Sequence, residues 1–228
     1  MKVTIDVPSS LADITLEQYQ YLMSIQDEND SEDFASRKLI ACLCKIPLSD
    51  VLKIQYTSII ELLEKFNAIF REDKFLIQRF ELGGVEFGFV PELESISFGE
   101  YIDAEKYLSD WSTMNNAMAV LYRPVVKRKD EKYTIEDYHT SATYAEVMKA
   151  MPLNVALGAQ VFFWNLKRDL LLATMDYLAE ELTEIPQEII AQHLSLPKDG
   201  GGINQYINSL KEMLEDLTQL PLYRSISV

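Results

Sequence analysis

Histidine and cysteine are scarce, with two of each in 228 residues. His139 and His193 do not fall in a metal-binding spacing such as H-E-x-x-H. Cys42 and Cys44 are one residue apart, too close for an easy disulfide and too few for a metal cage. They read as reduced thiols in or near a core. Glycine is limited to eight residues, and no G-x-S-x-G, P-loop or dinucleotide fingerprint is found among them. Gly83-Gly84 reads as a turn. Gly200-Gly201-Gly202 follows a loop and precedes a helix; a hinge is preferred there over an anion-binding helix start, since no strand precedes it and no Lys-Ser/Thr pair follows.

Positive charge is also short. Against 36 acidic residues stand 21 basic ones, for a net charge of −15. Such a chain repels nucleic acid and anionic membranes, which makes basic proteins the natural partners. Long apolar runs are missing too. The most apolar stretch, "PLNVALGAQVFFWNLKRDLLLATM", is interrupted by Asn154, Gln160, Asn165 and Lys167-Arg168-Asp169, short of the roughly 20 apolar residues that span a bilayer. "MKVTIDVPSS" lacks the apolar run of a signal peptide. The expectation is a protein of the cytoplasm.

What is present suffices for a core: 48% hydrophobic and 25% charged residues are ordinary globular values. "KVTIDV" over residues 2–7 alternates like a short strand. Helices are expected from Thr15 to about Ile25, over "FASRKLIACLCKI" before Pro47, around "LSDVLKI", and over "SIIELLEKFNAIF", with Ser58 and Glu61 as its capping pair. At Phe75 the apolar period drops from about 3.6 to 2. "FLIQRFEL" and "VEFGFV" flank Gly83-Gly84 as a β-hairpin.

A long helical region opens at Ser97 and Glu100 and runs to Leu121. "VVKRKDEKYTIEDY" reads as a second, polar hairpin, and a further helix is expected from near Ser141 to Met151. The longest helix starts at Pro152 and reaches about Leu182, with a near-heptad seam of Leu157, Val161, Trp164, Arg168, Leu171, Met175, Leu178 and Leu182. The fold class is therefore mainly α (α+β): a helical bundle with a long central helix, a short N-terminal strand and one or two hairpins. Residues 1–184 read as the main domain, with the hairpin at 75–90. Residues 185–228 read as a helical appendage about a glycine-rich hinge at 198–202.

No catalytic set is legible. Glu100 and Asp103 stand one helical turn apart, a spacing open to metal binding or acid–base work but equally that of a solvated helix face. The chain reads as a non-enzyme without cofactor or metal. Three features point to protein contacts instead. The first is the basic cluster Arg123, Lys127, Arg128, Lys129 and Lys132, which suits an acidic surface, a second copy of the chain included. The second is Arg168, which either reaches a buried carboxylate or marks where another chain meets the apolar seam. The third is the terminal amphipathic helix, with Ile203, Tyr206, Ile207, Leu210, Met213, Leu214 and Leu217 on one side.

One pattern recurs. "ITLEQY" from Ile14 and "ISFGEY" from Ile96 align without a gap, and "YTIEDY" from Tyr133 is a looser copy. Each fits a helix or turn entry: Ser or Thr caps, the next apolar residue points inward, and an acid or amide three residues on closes the box. Repeated capping accounts for this without an ancestral duplication.

The longer context of the second copy, "FGEYIDAEKYLSDW" running into "MNNAMAVLYRPV", resembles a family of proteins from tailed bacteriophages, particularly crAss-like and related phages of Bacteroidetes. The resemblance extends over most of the chain, through "KVTIDVPSSLADITLEQYQ", "FELGGVEFGFVP" and "VMKAMPLNVALGAQVFFWNL". It implies a structural or assembly-associated role, tail-assembly-chaperone-like, in the host cytoplasm during infection or in the virion. It also implies partners among tail, portal or connector components. A ring, connector or cargo subunit resident in the virion is the alternative. A third reading is an acidic inhibitor of a host protein, against which stands the lack of a double row of carboxylates on one face.

Overall fold

The computed structural model describes residues 5–25, 31–130 and 132–184. The described residues fall into two compact units that divide between Gln160 and Val161.

The first unit opens on irregular chain. Ile5–Val7 form no strand, so the expected N-terminal strand is not made there, and its first residues lie outside the described ones. Helix α1 (Leu16–Ser24) is entered through a reciprocal box. The Gln18 amide donates to Thr15 Oγ1 at 3.2 Å, and the Thr15 amide donates to Gln18 Oε1 at 3.1 Å. Helix α2 (Glu32–Leu43) starts at Ser31, whose hydroxyl accepts from the Phe34 amide. It ends in a Schellman turn before Pro47: the Ile46 amide reaches the Ala41 carbonyl at 3.0 Å and the Lys45 amide reaches that of Cys42 at 3.3 Å.

That geometry holds Lys45 at φ 53°, a left-handed conformation that glycine adopts without the Cβ penalty. Lys45→Gly is expected to stabilise the fold by about 1 kcal/mol. A rise in the urea midpoint at unchanged slope would show it.

Helix α3 (Leu48–Val51) is a single turn, followed by α4 (Tyr56–Phe70). Gln55 occupies the N-cap of α4 without a side-chain bond. The predicted Ser58–Glu61 box is therefore not the entry; the helix begins earlier because nothing from Tyr56 to Ser58 opposes helical dihedrals.

Strands β1 (Arg79–Leu82) and β2 (Val85–Phe89) form the predicted hairpin. Leu82 pairs with Val85 around Gly83 and Gly84, at φ 60° and 80°, as a primed turn requires. The second hairpin, β3 (Tyr122–Lys129) and β4 (Lys132–Ile135), joins it edge to edge. The result is one antiparallel sheet in the order β1-β2-β3-β4.

The third copy of the recurrent pattern is not a helix entry. Thr134 lies on β4 opposite Lys127. The Tyr133 ring covers Gly88, where a Cβ would approach it to 2.5 Å, and the Tyr133 hydroxyl donates to the Phe89 carbonyl at 2.8 Å.

The long helix expected from Ser97 to Leu121 is two helices, α5 (Phe98–Leu108) and α6 (Met114–Leu121). Asp110 separates them. Its carboxylate accepts from the Ser112 amide at 2.8 Å and from the Ser112 hydroxyl at 2.6 Å, starting a 3₁₀ turn at Trp111–Thr113. Local side-chain bonds of this kind compete with the helix ladder. The break turns Trp111 onto Tyr19, ring centroids 4.5 Å apart.

Helix α6 is the hub. Met114, Ala117, Met118, Ala119, Val120 and Leu121 are all at most 2% exposed, so an apolar helix without a wet face sits where it is enclosed. Its polar Asn115 is satisfied, donating to the Ala145 carbonyl at 3.0 Å and accepting from Gln20 Nε2 at 3.1 Å. Helix α7 (Ala145–Met148) follows, and then α8 (Leu153–Glu184). Backbone bonds from Leu16 to Met151 and from Leu153 to Ile14, at 2.9 and 2.8 Å, tie the entries of α1 and α8 together.

The first turns of α8 carry buried Leu153, Val155, Ala156, Leu157 and Ala159. From Val161 on, in the second unit, Leu166, Leu170 and Tyr177 are exposed, and Phe162 meets Phe163 edge-on at 5.5 Å. The expected appendage at 185–228, its hinge and its amphipathic helix lie outside the described residues, as do the side chains of Met175, Leu178 and Leu182.

Both thiols belong to the first unit. Cys44 is buried and Cys42 half-buried. Burial pushes each up to about 11, so the reactive thiolate is nearly absent at neutral pH. Iodoacetamide at pH 8 is expected to leave both unmodified in the native protein and to alkylate both once urea has unfolded it. Intact mass reads the difference.

Candidate functional site

Two of the recurrent entries, those of α1 and α5, bury different positions. In α1 the apolar residue after the cap, Leu16, is 0% exposed and Tyr19 is 1% exposed. In α5 their counterparts are Phe98 at 78% and Tyr101 at 51%, joined by Ile102 at 46%. The expectation that this residue points inward therefore fails for Phe98. Spacings of three and four put Phe98, Tyr101 and Ile102 on one helix face, and that face is turned to solvent.

Helix α5 is held rigidly beneath it. The Ser97 amide donates to Glu100 Oε2 at 2.7 Å and Ser97 Oγ accepts from the Glu100 amide at 3.3 Å. The other Glu100 oxygen, Oε1, lies 2.6 Å from Arg123 Nη1 on β3, and the two side chains are only 10% and 7% exposed. Charge rather than aligned bonding holds this pair: Nη1 lies off the hydrogen-bond direction and Nε has no acceptor.

Tyr138 completes the tie between α5 and the sheet. Its ring sits 5.5 Å from the guanidinium and its hydroxyl donates to Asp103. Burial, and then the Asp103 carboxylate, push the phenol up to about 12. Glu100 and Asp103, the helical-turn pair of the sequence, are thus separately engaged. Nothing in their geometry turns both toward one ligand.

The predicted contact residues divide accordingly. Arg123 is 6% exposed and paired, so it does not belong to the exposed basic patch: β3 enters the core at its start and leaves it toward its end. Lys127, Arg128 and Lys129 lie on that outer end and are exposed, as is Lys132. Arg128 lies 3.5 Å from Glu86, which also meets Arg79 at 3.2 Å. Arg168 is half-exposed beside its neighbour Asp169, 3.3 Å away, rather than paired in a core. Tyr206, Ile207, Leu210, Met213 and Leu214 lie outside the described residues, as does His193. His139 is exposed.

Among the described residues no group of His, Cys, Asp and Glu could hold a metal ion, and no helix is long and apolar enough to cross a membrane.

Fold and site define a mainly helical α+β protein with a small antiparallel sheet and an apolar helix face open to solvent. Compared with protein-family models, curated proteins and solved structures, the chain has no match.

Proposed function

We propose that this chain works by binding another protein rather than by catalysis, during assembly of a tailed-phage particle, in the manner of a tail-assembly chaperone. The observation that carries the binding is the exposed face of Phe98, Tyr101 and Ile102. Large apolar side chains grouped on an anchored helix suit an apolar surface of a partner, which they cover at little ordering cost because α5 is already fixed. The net charge of −15 adds repulsion between loaded complexes, which opposes their aggregation. The phage setting rests on the sequence resemblance, with tail, portal or connector components as partners.

Affinity purification of the tagged chain from infected cells tests this, run alongside Phe98→Asp. Wild type is expected to recover a phage tail, portal or connector protein, and the variant to lose it while keeping its circular-dichroism melt. Equal recovery by both would refute docking through α5. Recovery of a host nuclease or DNA-binding protein alone would favour the acidic-inhibitor reading.

A further inference from the structure

A second surface, with no residue of α5 in its lining, lies where α2, α3 and α4 leave a cleft of about 470 Å³. Its floor is apolar, made by Val51, Ile59, Ile60 and Leu63. Leu52 and Tyr56 form its lip and are 63% and 77% exposed, so two large side chains frame an opening rather than closing it. The volume falls in the range of binding clefts and exceeds what one side chain fills.

The mouth is charged unevenly. Glu32 and Asp33, on the first turn of α2, outnumber Arg37, the single cation of the lining. None of the three forms an ion pair among the described residues. In sequence the acidic residues Asp27, Glu28 and Asp30 precede Glu32 and Asp33. An occupant must therefore bring apolar side chains for the floor and positive charge for the mouth.

We propose that this cleft docks a cationic amphipathic helical segment of a partner protein, its apolar side chains on Ile59, Ile60 and Leu63 and its Lys or Arg residues toward Glu32 and Asp33. Helix-in-groove recognition uses this division: apolar anchors supply affinity and charge sets orientation and on-rate. The chain's own basic hairpin suits the mouth by charge but brings only Val126 as an exposed large apolar residue, and copies carrying −15 each repel one another. A second copy is thus the weaker occupant. This docking does not depend on α5.

The test is fluorescence anisotropy of a labelled amphipathic Leu/Lys helical peptide with the full chain. The controls are a scrambled peptide of equal composition and a Leu/Glu analogue. The Leu/Lys peptide is expected to bind and both controls to bind at least about tenfold more weakly. Leu52→Glu and Tyr56→Ser, at exposed positions that leave the fold intact, are each expected to weaken binding by about tenfold. Glu32→Lys with Asp33→Lys should weaken it and flatten its salt dependence, whereas Phe98→Asp should leave it unchanged.

Equal binding of the scrambled peptide would overturn the proposal, because net charge alone would then account for association. So would indifference to Leu52→Glu and Tyr56→Ser. Sedimentation showing a salt-sensitive dimer that Leu52→Glu dissociates would replace the cationic partner with a second copy and overturn it as well. Loss of α5 docking with peptide binding intact would leave this inference standing alone.

Discussion

Gly158→Ala is expected to destabilise the protein by about 3 kcal/mol, near the upper end of what overpacking a core costs. Helix propensity alone predicts the opposite sign, a gain of about 1 kcal/mol for alanine inside a helix. The neighbour decides. A Cβ built on Gly158 would lie 2.0 Å from the Phe75 carbonyl oxygen and 2.8 Å from its carbon. These are backbone atoms, so no rotamer change relieves the clash.

The segment that would have to move runs directly into two tied residues. The Ile77 carbonyl accepts the Tyr122 hydroxyl at 2.8 Å and the Gln78 carbonyl accepts the Phe89 amide at 2.8 Å. Displacing residues 75–76 therefore strains the sheet edge. For a chain of this size the cost corresponds to a fall in Tm of roughly 6–12 °C. Calorimetry of Gly158→Ala decides by sign: an unchanged or higher Tm would mean that the close approach between α8 and this segment is not made.

The second large effect is expected at the α5–β3 tie. Glu100→Gln keeps an oxygen for the Ser97 amide but removes the negative charge facing Arg123, leaving a buried cation uncompensated. Breaking a buried pair from one side costs about 3–5 kcal/mol. Arg123→Met should cost a comparable amount. The double variant should lose much less than the sum, because neither charge then remains buried alone. Strict additivity in denaturant melts would contradict the pair.

The pH dependence follows from the same site. Burial by itself raises the Glu100 carboxyl. The Ser97 hydrogen bonds and the Arg123 charge more than offset it, and the group titrates below its ordinary value of 4.5. A folded value below the unfolded one means that the contribution is complete above the ordinary value. It is lost as pH falls from there through the folded value. Wild type is therefore expected to lose more stability than Glu100→Gln between about pH 5 and pH 3; parallel losses would contradict this.

Much of the helical frame was legible because its signals are local. Thr15 with Gln18 and Ser97 with Glu100 announce their caps within four residues, and Gly83-Gly84 announces its turn. The mainly helical α+β class followed from the helical periods along the chain, the period change at Phe75 and the polar hairpin after Leu121. What failed was decided by neighbours distant in sequence or by competing local bonds. Asp110 broke a helix that periodicity carried through. Thr134 carries the cap pattern but pairs in a sheet, and Phe98 repeats the Leu16 position with nothing among the described residues to bury it. Arg123 reads as one more basic residue of a wet hairpin until Glu100 is brought beside it. For Gly158 a signal was available: a lone glycine inside a strong helical pattern costs about 1 kcal/mol against alanine, and close packing is one reason for it to stand there.

The binding proposal stands on the open face of α5, and the biological form proposed for it is a transient partner in particle assembly. The most direct test is mass spectrometry of purified intact virions and of infected lysate, quantifying this chain against the major capsid protein. The account predicts an abundant chain in lysate that is absent from particles. A stoichiometric chain in the virion would contradict it and make this protein a resident subunit.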